Sequence, residues 1–172
     1  MSQLITKENF IEAKYDVFQK FHKQLAVVIA GDIDNFRCMT IGWGAMGNVW
    51  GHPGSTLTIY VSPARYTFEA LQSNECFTVC FFPEEYHKDV MTLGTKSGRN
   101  VDKVALTRLT PKALEHGVGF EQAELTFVCR KLYADQFKIE LTPENMRNNV
   151  YTKIPPHWFF IGAIEEAFGT VE

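Results

Sequence analysis

The chain reads as mainly β with accessory helices, an antiparallel barrel rather than a doubly wound parallel sheet. Three observations predict this. Its apolar runs are short and rich in β-branched and aromatic residues, which suit a pleated, half-buried surface. Aromatics make up 13% of the 172 residues, with 14 Phe, a loading that favours strands and flat-walled pockets. The runs are joined mostly by hairpin-length turns, whereas parallel strands need crossovers of a dozen residues or more.

Taken in order, residues 7–23 place Phe10, Tyr15, Val17, Phe18 and Phe21 among charges and predict an amphipathic helix. Leu25–Ala30 predicts a buried strand, Gly31–Asn35 a turn, and Phe36–Ile41 the second arm of a hairpin. Thr56–Val61 alternates β-branched residues and predicts a strand. Ser62-Pro63 then reads as a helix start, Ser at the N-cap and Pro at the first helical position, the helix running to Leu71 or Ser73. Glu75–Phe82 predicts a strand stopped by Pro83, Glu84–Leu93 a short helix, and Gly94–Lys103 a polar loop. Strands are expected at Ala123–Tyr133, Gln136–Leu141 and Trp158–Phe168, with a helical turn at Pro143–Asn148. No repeat or linker divides the chain, so residues 1–172 read as a single domain.

Composition narrows the function. Seventeen basic against twenty acidic residues leave a net charge of −3, with no global pull toward nucleic acid or anionic membrane. The longest apolar run near the start, Leu25–Ala30, is far short of a membrane span, and nothing marks the chain for export. The four cysteines (Cys38, Cys76, Cys80, Cys129) form no CxxC pair and sit in apolar contexts, as reduced thiols of a cytoplasmic protein would. The five histidines are scattered without ligand spacing, so no metal is expected. No nucleophile–base–acid arrangement emerges. Neighbouring carboxylates such as Glu165 and Glu166 should face opposite sides of a strand.

Three segments carry chemistry. Gly42-Trp43-Gly44-Ala45-Met46-Gly47 matches GxGxxG, but the residues after it are poor helix material, so a dinucleotide fingerprint is disfavoured. A helix start at Ser62-Pro63-Ala64-Arg65-Tyr66-Thr67 would offer open N–H groups beside a planar guanidinium, a combination suited to phosphate. The same residues are also compatible with an ordinary capped helix. The loop around Gly98, with Ser97, Arg99 and Lys103, could form an anion-binding nest or a plain solvated surface.

Together, Asn35–Gly47, Trp50 and Pro53, and then Tyr60–Glu69 (YVSPARYTFE) resemble the flavin reductase-like, FMN-binding split-barrel family, and within it the flavoredoxin group. The Gly94–Lys103 loop and His157–Gly162 extend the likeness over residues 20–168. The resemblance implies a six-stranded antiparallel Greek-key split barrel. It implies a homodimer holding FMN near the subunit interface, with NAD(P)H as electron donor. It places Met39, Thr40, Ile41, Gly42 and Trp43 along the isoalloxazine ring and Ser62, Arg65 and Thr67 at the phosphate. Ser97, Gly98, Arg99 and Lys103 complete the pocket. The implied activity is that of an FMN-dependent NAD(P)H oxidoreductase delivering electrons to a flavin or another acceptor. An electron carrier reduced by a redox protein partner, and a non-catalytic flavin-binding barrel, remain the alternatives. Gly42-Trp43-Gly44 and Ala64 depart from the reductase pattern.

Overall fold

The computed structural model describes residues 2–51 and 54–171; His52 and Pro53, the latter part of the resemblance, lie outside them. A short strand, β1 (Gln3–Ile5), leads through turns to a single helical turn, α1 (Val17–Gln19), which continues as a π-helical turn over Lys20–Gln24. The helix expected over 7–23 is confined to its end. Asp16 caps α1 by accepting the Gln19 N–H at 3.0 Å, and the Tyr15 hydroxyl donates to the Phe10 carbonyl, which fixes the preceding residues as turns.

The predicted hairpin forms. β2 (Ala26–Asp32) pairs antiparallel with β3 (Asn35–Ile41), Ile29 opposite Cys38. Alternation along β2 explains its continuous apolar run, because both faces are covered. Val28 points into the barrel core with Ile59, Phe81 and Phe127. Val27 and Ile29 point outward into a second cluster with Val90, Leu93 and Phe120. β4 (Gly44–Asn48) was not expected, since Gly-Ala-Met-Gly-Asn has little strand propensity; pairing with β5 (Ser55–Val61) holds it extended.

The helix after β5 starts later than its sequence suggests. Ser62–Arg65 closes a turn in which the Arg65 N–H donates to the Ser62 carbonyl at 3.0 Å. α2 (Tyr66–Ser73) then begins with extended Arg65 at its N-cap, so Ser62 and Pro63 lie outside the helix. β6 (Cys76–Phe81) and α3 (His87–Thr95), with a 3₁₀ turn between them, lie as expected. A small hairpin of β7 (Pro111–Leu114) and β8 (Gly117–Phe120) was missed. β9 (Leu125–Gln136) and β10 (Trp158–Val171) run longer than predicted, with α4 (Glu144–Asn149) between them. The strand expected at Gln136–Leu141 is replaced by the end of β9 and a 3₁₀ turn at Ile139–Leu141.

The main sheet runs β3-β2-β6-β9-β10-β5-β4, with β1 added on β10. It therefore has eight strands rather than six: the six expected ones, plus β1 and β4. Every pairing within it is antiparallel. The end strands β3 and β4 are not paired with each other, so the barrel stays open along that seam. Among the described residues, no helix is long and apolar enough to cross a membrane. All four cysteines are free, and burial pushes the Cys80 thiol up to about 12.

Gly162, where β10 shifts register against β9, has no room for a side chain. A Cβ there would sit 2.7 Å from both the Cys129 Cβ and the Phe77 ring. Gly162→Ala should destabilise the fold by about 1–3 kcal/mol through overpacking, read as a lower urea midpoint at unchanged slope.

Candidate functional site

The open seam places the candidate residues. β3 alternates, so Ile41 is buried in the barrel core and Met39 packs against it, leaving only their backbone for a ligand. Thr40 faces the other way, where its hydroxyl donates to the Val90 carbonyl of α3 at 2.5 Å. Gly42 and Trp43, at the seam between β3 and β4, line an apolar cavity of about 580 Å³ with Phe18, Tyr60 and Phe137. Trp43 is 45% exposed, with its ring 4.5 Å from the His157 imidazole.

Gly98 and Lys103 line a second, mixed cavity of about 330 Å³ with Arg37, Tyr66, Asp34 and Asp102. Ser62 is buried, and its hydroxyl accepts the Ala64 N–H at 3.4 Å. The Thr67 hydroxyl donates to the Cys38 carbonyl at 2.8 Å and so braces α2 against β3. Ser97 accepts the Arg99 N–H at 3.3 Å, tightening the loop.

The three arginines here differ in what they are free to do. Arg37 and Arg99 both pair with Glu69, at 2.6 and 3.1 Å, and both lie over the Tyr66 ring, 3.7 and 4.9 Å from its centroid. Their guanidinium groups hold the Glu69 carboxyl below its ordinary range. Arg65 is exposed and has no ion pair among the described residues. Its side chain does not cap α2.

Lys103 is buried. Its ammonium donates to the Leu93 carbonyl at 2.7 Å and to the Lys96 carbonyl at 3.4 Å, and no carboxylate pairs with it among the described residues. Burial pulls it below the usual lysine range; Cys38 opposes that shift, and the Arg65 charge adds to it. His157 feels the same two influences, burial first and Arg65 second, and is held below the ordinary imidazole value. Arg65 therefore acts on both Lys103 and His157, and His157 in turn touches Trp43. Its Nδ1 is buried without a hydrogen-bond partner, an unmet polar atom.

Trp43 meets His157, a residue whose role sequence reasoning missed, whereas Trp43 and Lys103 line separate cavities and Arg65 borders neither of the two. Arg37, Tyr66 and Glu69 were also missed. The signal for His157 was its place directly before the last strand, but its pairing with Trp43 is a tertiary contact. Neither Arg65 nor Lys103 has an ion pair among the described residues, although Asp34 and Asp102 line the cavity at Lys103, so both cations keep capacity for an anion. The open N–H groups at the head of α2 point to the same ligand type. The Trp43 ring, tilted 34° against the His157 imidazole, supplies an exposed aromatic surface. A phosphate joined to a large aromatic ring fits this donor set.

The fold is a split barrel left open at one seam, of the type the sequence resembles. The family model for the flavin reductase like domain matches residues 18–168, and the chain belongs to that family. Solved structures with the same fold include a flavoredoxin from Methanosarcina acetivorans, with 23% identity over 85% of this chain and 68% of that one, TM-score 0.65. They also include an FMN-binding protein from Thermus thermophilus crystallised with 1-cyclohex-2-enone, at 20% identity over 91% of this chain and 78% of that one, TM-score 0.67. A third is nitrilotriacetate monooxygenase component B from Bacillus cereus, at 16% identity over 84% and 68%, TM-score 0.65. No curated protein matches the sequence.

The depressed His157 imidazole has a consequence for stability. Its folded value lies below the ordinary 6.5, so the unfolded chain binds the proton more readily. The stability this group contributes is whole above about pH 6.5 and falls as pH drops from there through the folded value. Urea unfolding should show stability declining from pH 7.5 to pH 5.5, and the decline should be shallower in His157→Gln.

Proposed function

We propose that this protein is an FMN-dependent oxidoreductase of the flavin reductase and flavoredoxin type. It takes electrons from NAD(P)H and passes them through flavin to a free flavin or another acceptor. The observation that carries this reading is Arg65, exposed and without an ion pair among the described residues at the N-cap of α2, together with the exposed Trp43 ring against His157. Family membership and the redox proteins and FMN-binding proteins among the structural neighbours support it.

Arg65, Lys103 and the N–H groups at the start of α2 would hold the phosphate. Trp43, with Gly42 and the backbone of Met39–Ile41, would border the ring. When bound, FMN supplies the two-electron chemistry. This chain's part is to bind and orient, which explains why the site holds no acid–base triad. His157, neutral near pH 7, would offer its unmet Nδ1 to the ligand edge.

A homodimer is part of the proposal. The apolar cavity beside Trp43 is bordered by Phe18, whose ring is 87% exposed, and a second copy would cover both. Four free cysteines fit a reducing cytoplasm.

Titration of apoprotein with FMN, followed by flavin fluorescence, tests the phosphate anchor. Arg65→Ala should lose about 1.5–3 kcal/mol, at least tenfold in affinity. Arg99→Ala should lose less, because that guanidinium is already engaged by Glu69. Wild-type affinity in Arg65→Ala would remove the anchor. Anaerobic stopped-flow mixing of FMN-loaded protein with NADH and with NADPH tests the donor. Bleaching of the flavin band by one or both is expected; bleaching by neither would favour a carrier reduced by a protein partner.

A further inference from the structure

Away from the flavin-type site, the turn of the β7–β8 hairpin meets the middle of β10. Glu115 and His116 are the two residues of that turn, since Leu114 pairs with Gly117. The turn is held in place, because Val118 and Phe120 of β8 are buried in the outer cluster with Val27, Cys80 and Phe82. On β10 the register against β9 shifts between Ile164 and Glu166. A bulge of this kind sets two residues against one, so the ordinary opposition of neighbouring side chains is lost. Glu165 and Glu166 accordingly line the same cavity, where the sequence pattern expected them on opposite faces.

The two carboxylates have different fates. Glu165 accepts from Arg130 at 2.6 Å, and Arg130 also pairs with Glu75 at 3.0 Å. Glu166 instead joins Glu115 and His116, with one ligand atom from each residue lying within 4.8 Å of the others. This is the only such group among the described residues. Neither Glu115 nor Glu166 has a Lys or Arg partner within ion-pair distance among the described residues, and Arg130, which lines the same cavity, is already doubly engaged. Two carboxylates and an imidazole thus converge from segments fifty residues apart, in a cavity that Lys7 and Arg130 also line without pairing with either Glu115 or Glu166.

We propose that Glu115, His116 and Glu166 bind a divalent transition-metal ion of the zinc class, which ties the β7–β8 turn to the bulge of β10. One imidazole and two carboxylates are a mixed N/O set that suits Zn²⁺ and its first-row neighbours, while Mg²⁺ prefers oxygen alone. Bonds of roughly 2.0–2.2 Å need the three ligand atoms drawn together by about 1 Å, within reach of side-chain rotation at a surface site. The remaining coordination positions fall to water. The spacing of histidines along the chain gave no sign of this, because the ligands come together only through the hairpin and the bulge.

Isothermal titration of the purified protein with Zn²⁺, and separately with Mg²⁺, tests the site. His116→Ala and Glu166→Gln serve as variants, with circular dichroism as the check that each folds. Saturable binding of one Zn²⁺ per chain is expected, weakened at least tenfold in each variant, with Mg²⁺ failing to compete. Absence of saturable Zn²⁺ binding, or binding unchanged in both variants, would overturn the proposal. Competition by Mg²⁺ at comparable concentration would also overturn it, since the imidazole would then not be a ligand.

Discussion

Arg65 and Lys103 each lack an ion pair among the described residues, and the rest of the site is arranged around that fact. A buried ammonium held only by two carbonyl oxygens is costly, and a guanidinium near it makes it costlier. The fold maintains the strain by structural means. Lys103 is locked to the end of α3, and Arg65 is fixed at the N-cap of α2 by the turn that begins at Ser62. The neighbouring arginines are kept out of the same role by Glu69, which binds both and leaves Arg65 as the unpaired one.

The barrel's open seam explains where the aromatic half of the site comes from. Because β3 and β4 do not pair, the Gly42–Trp43 connection between them stays accessible, and Trp43 can lie against His157 at the start of β10. The Phe137 N–H donates to the His157 carbonyl at 3.0 Å, so the imidazole is presented from a fixed backbone. β10 is thus the organising strand: its first residues complete the site, and its middle carries the bulge that turns Glu165 and Glu166 to one side.

Much of this was legible in the residues. The β2–β3 hairpin, β5, β6 and β10 follow from alternating or fully apolar runs, whose period dictates a strand whatever lies around them. β4 did not show, because a glycine-rich segment becomes a strand only through its neighbour β5. The β7–β8 hairpin was hidden in the same way, its four-residue arms being too short for a periodic signal. At Ser62-Pro63 the local helix-start rule lost to a turn that hands the N-cap to Arg65. Arg65, Lys103 and Trp43 stood out as residue types in motifs. His157 did not, since its meaning rests on a ring partner more than a hundred residues away in the sequence and on a charge from another element.

If unpaired positive charge is what selects the ligand, the phosphate must matter more than the ring. Comparing the affinity of the apoprotein for FMN with its affinity for riboflavin, which lacks only that phosphate, isolates the effect. The account predicts that riboflavin binds at least tenfold more weakly and that added salt narrows the gap. Equal affinity for the two at low salt would contradict it.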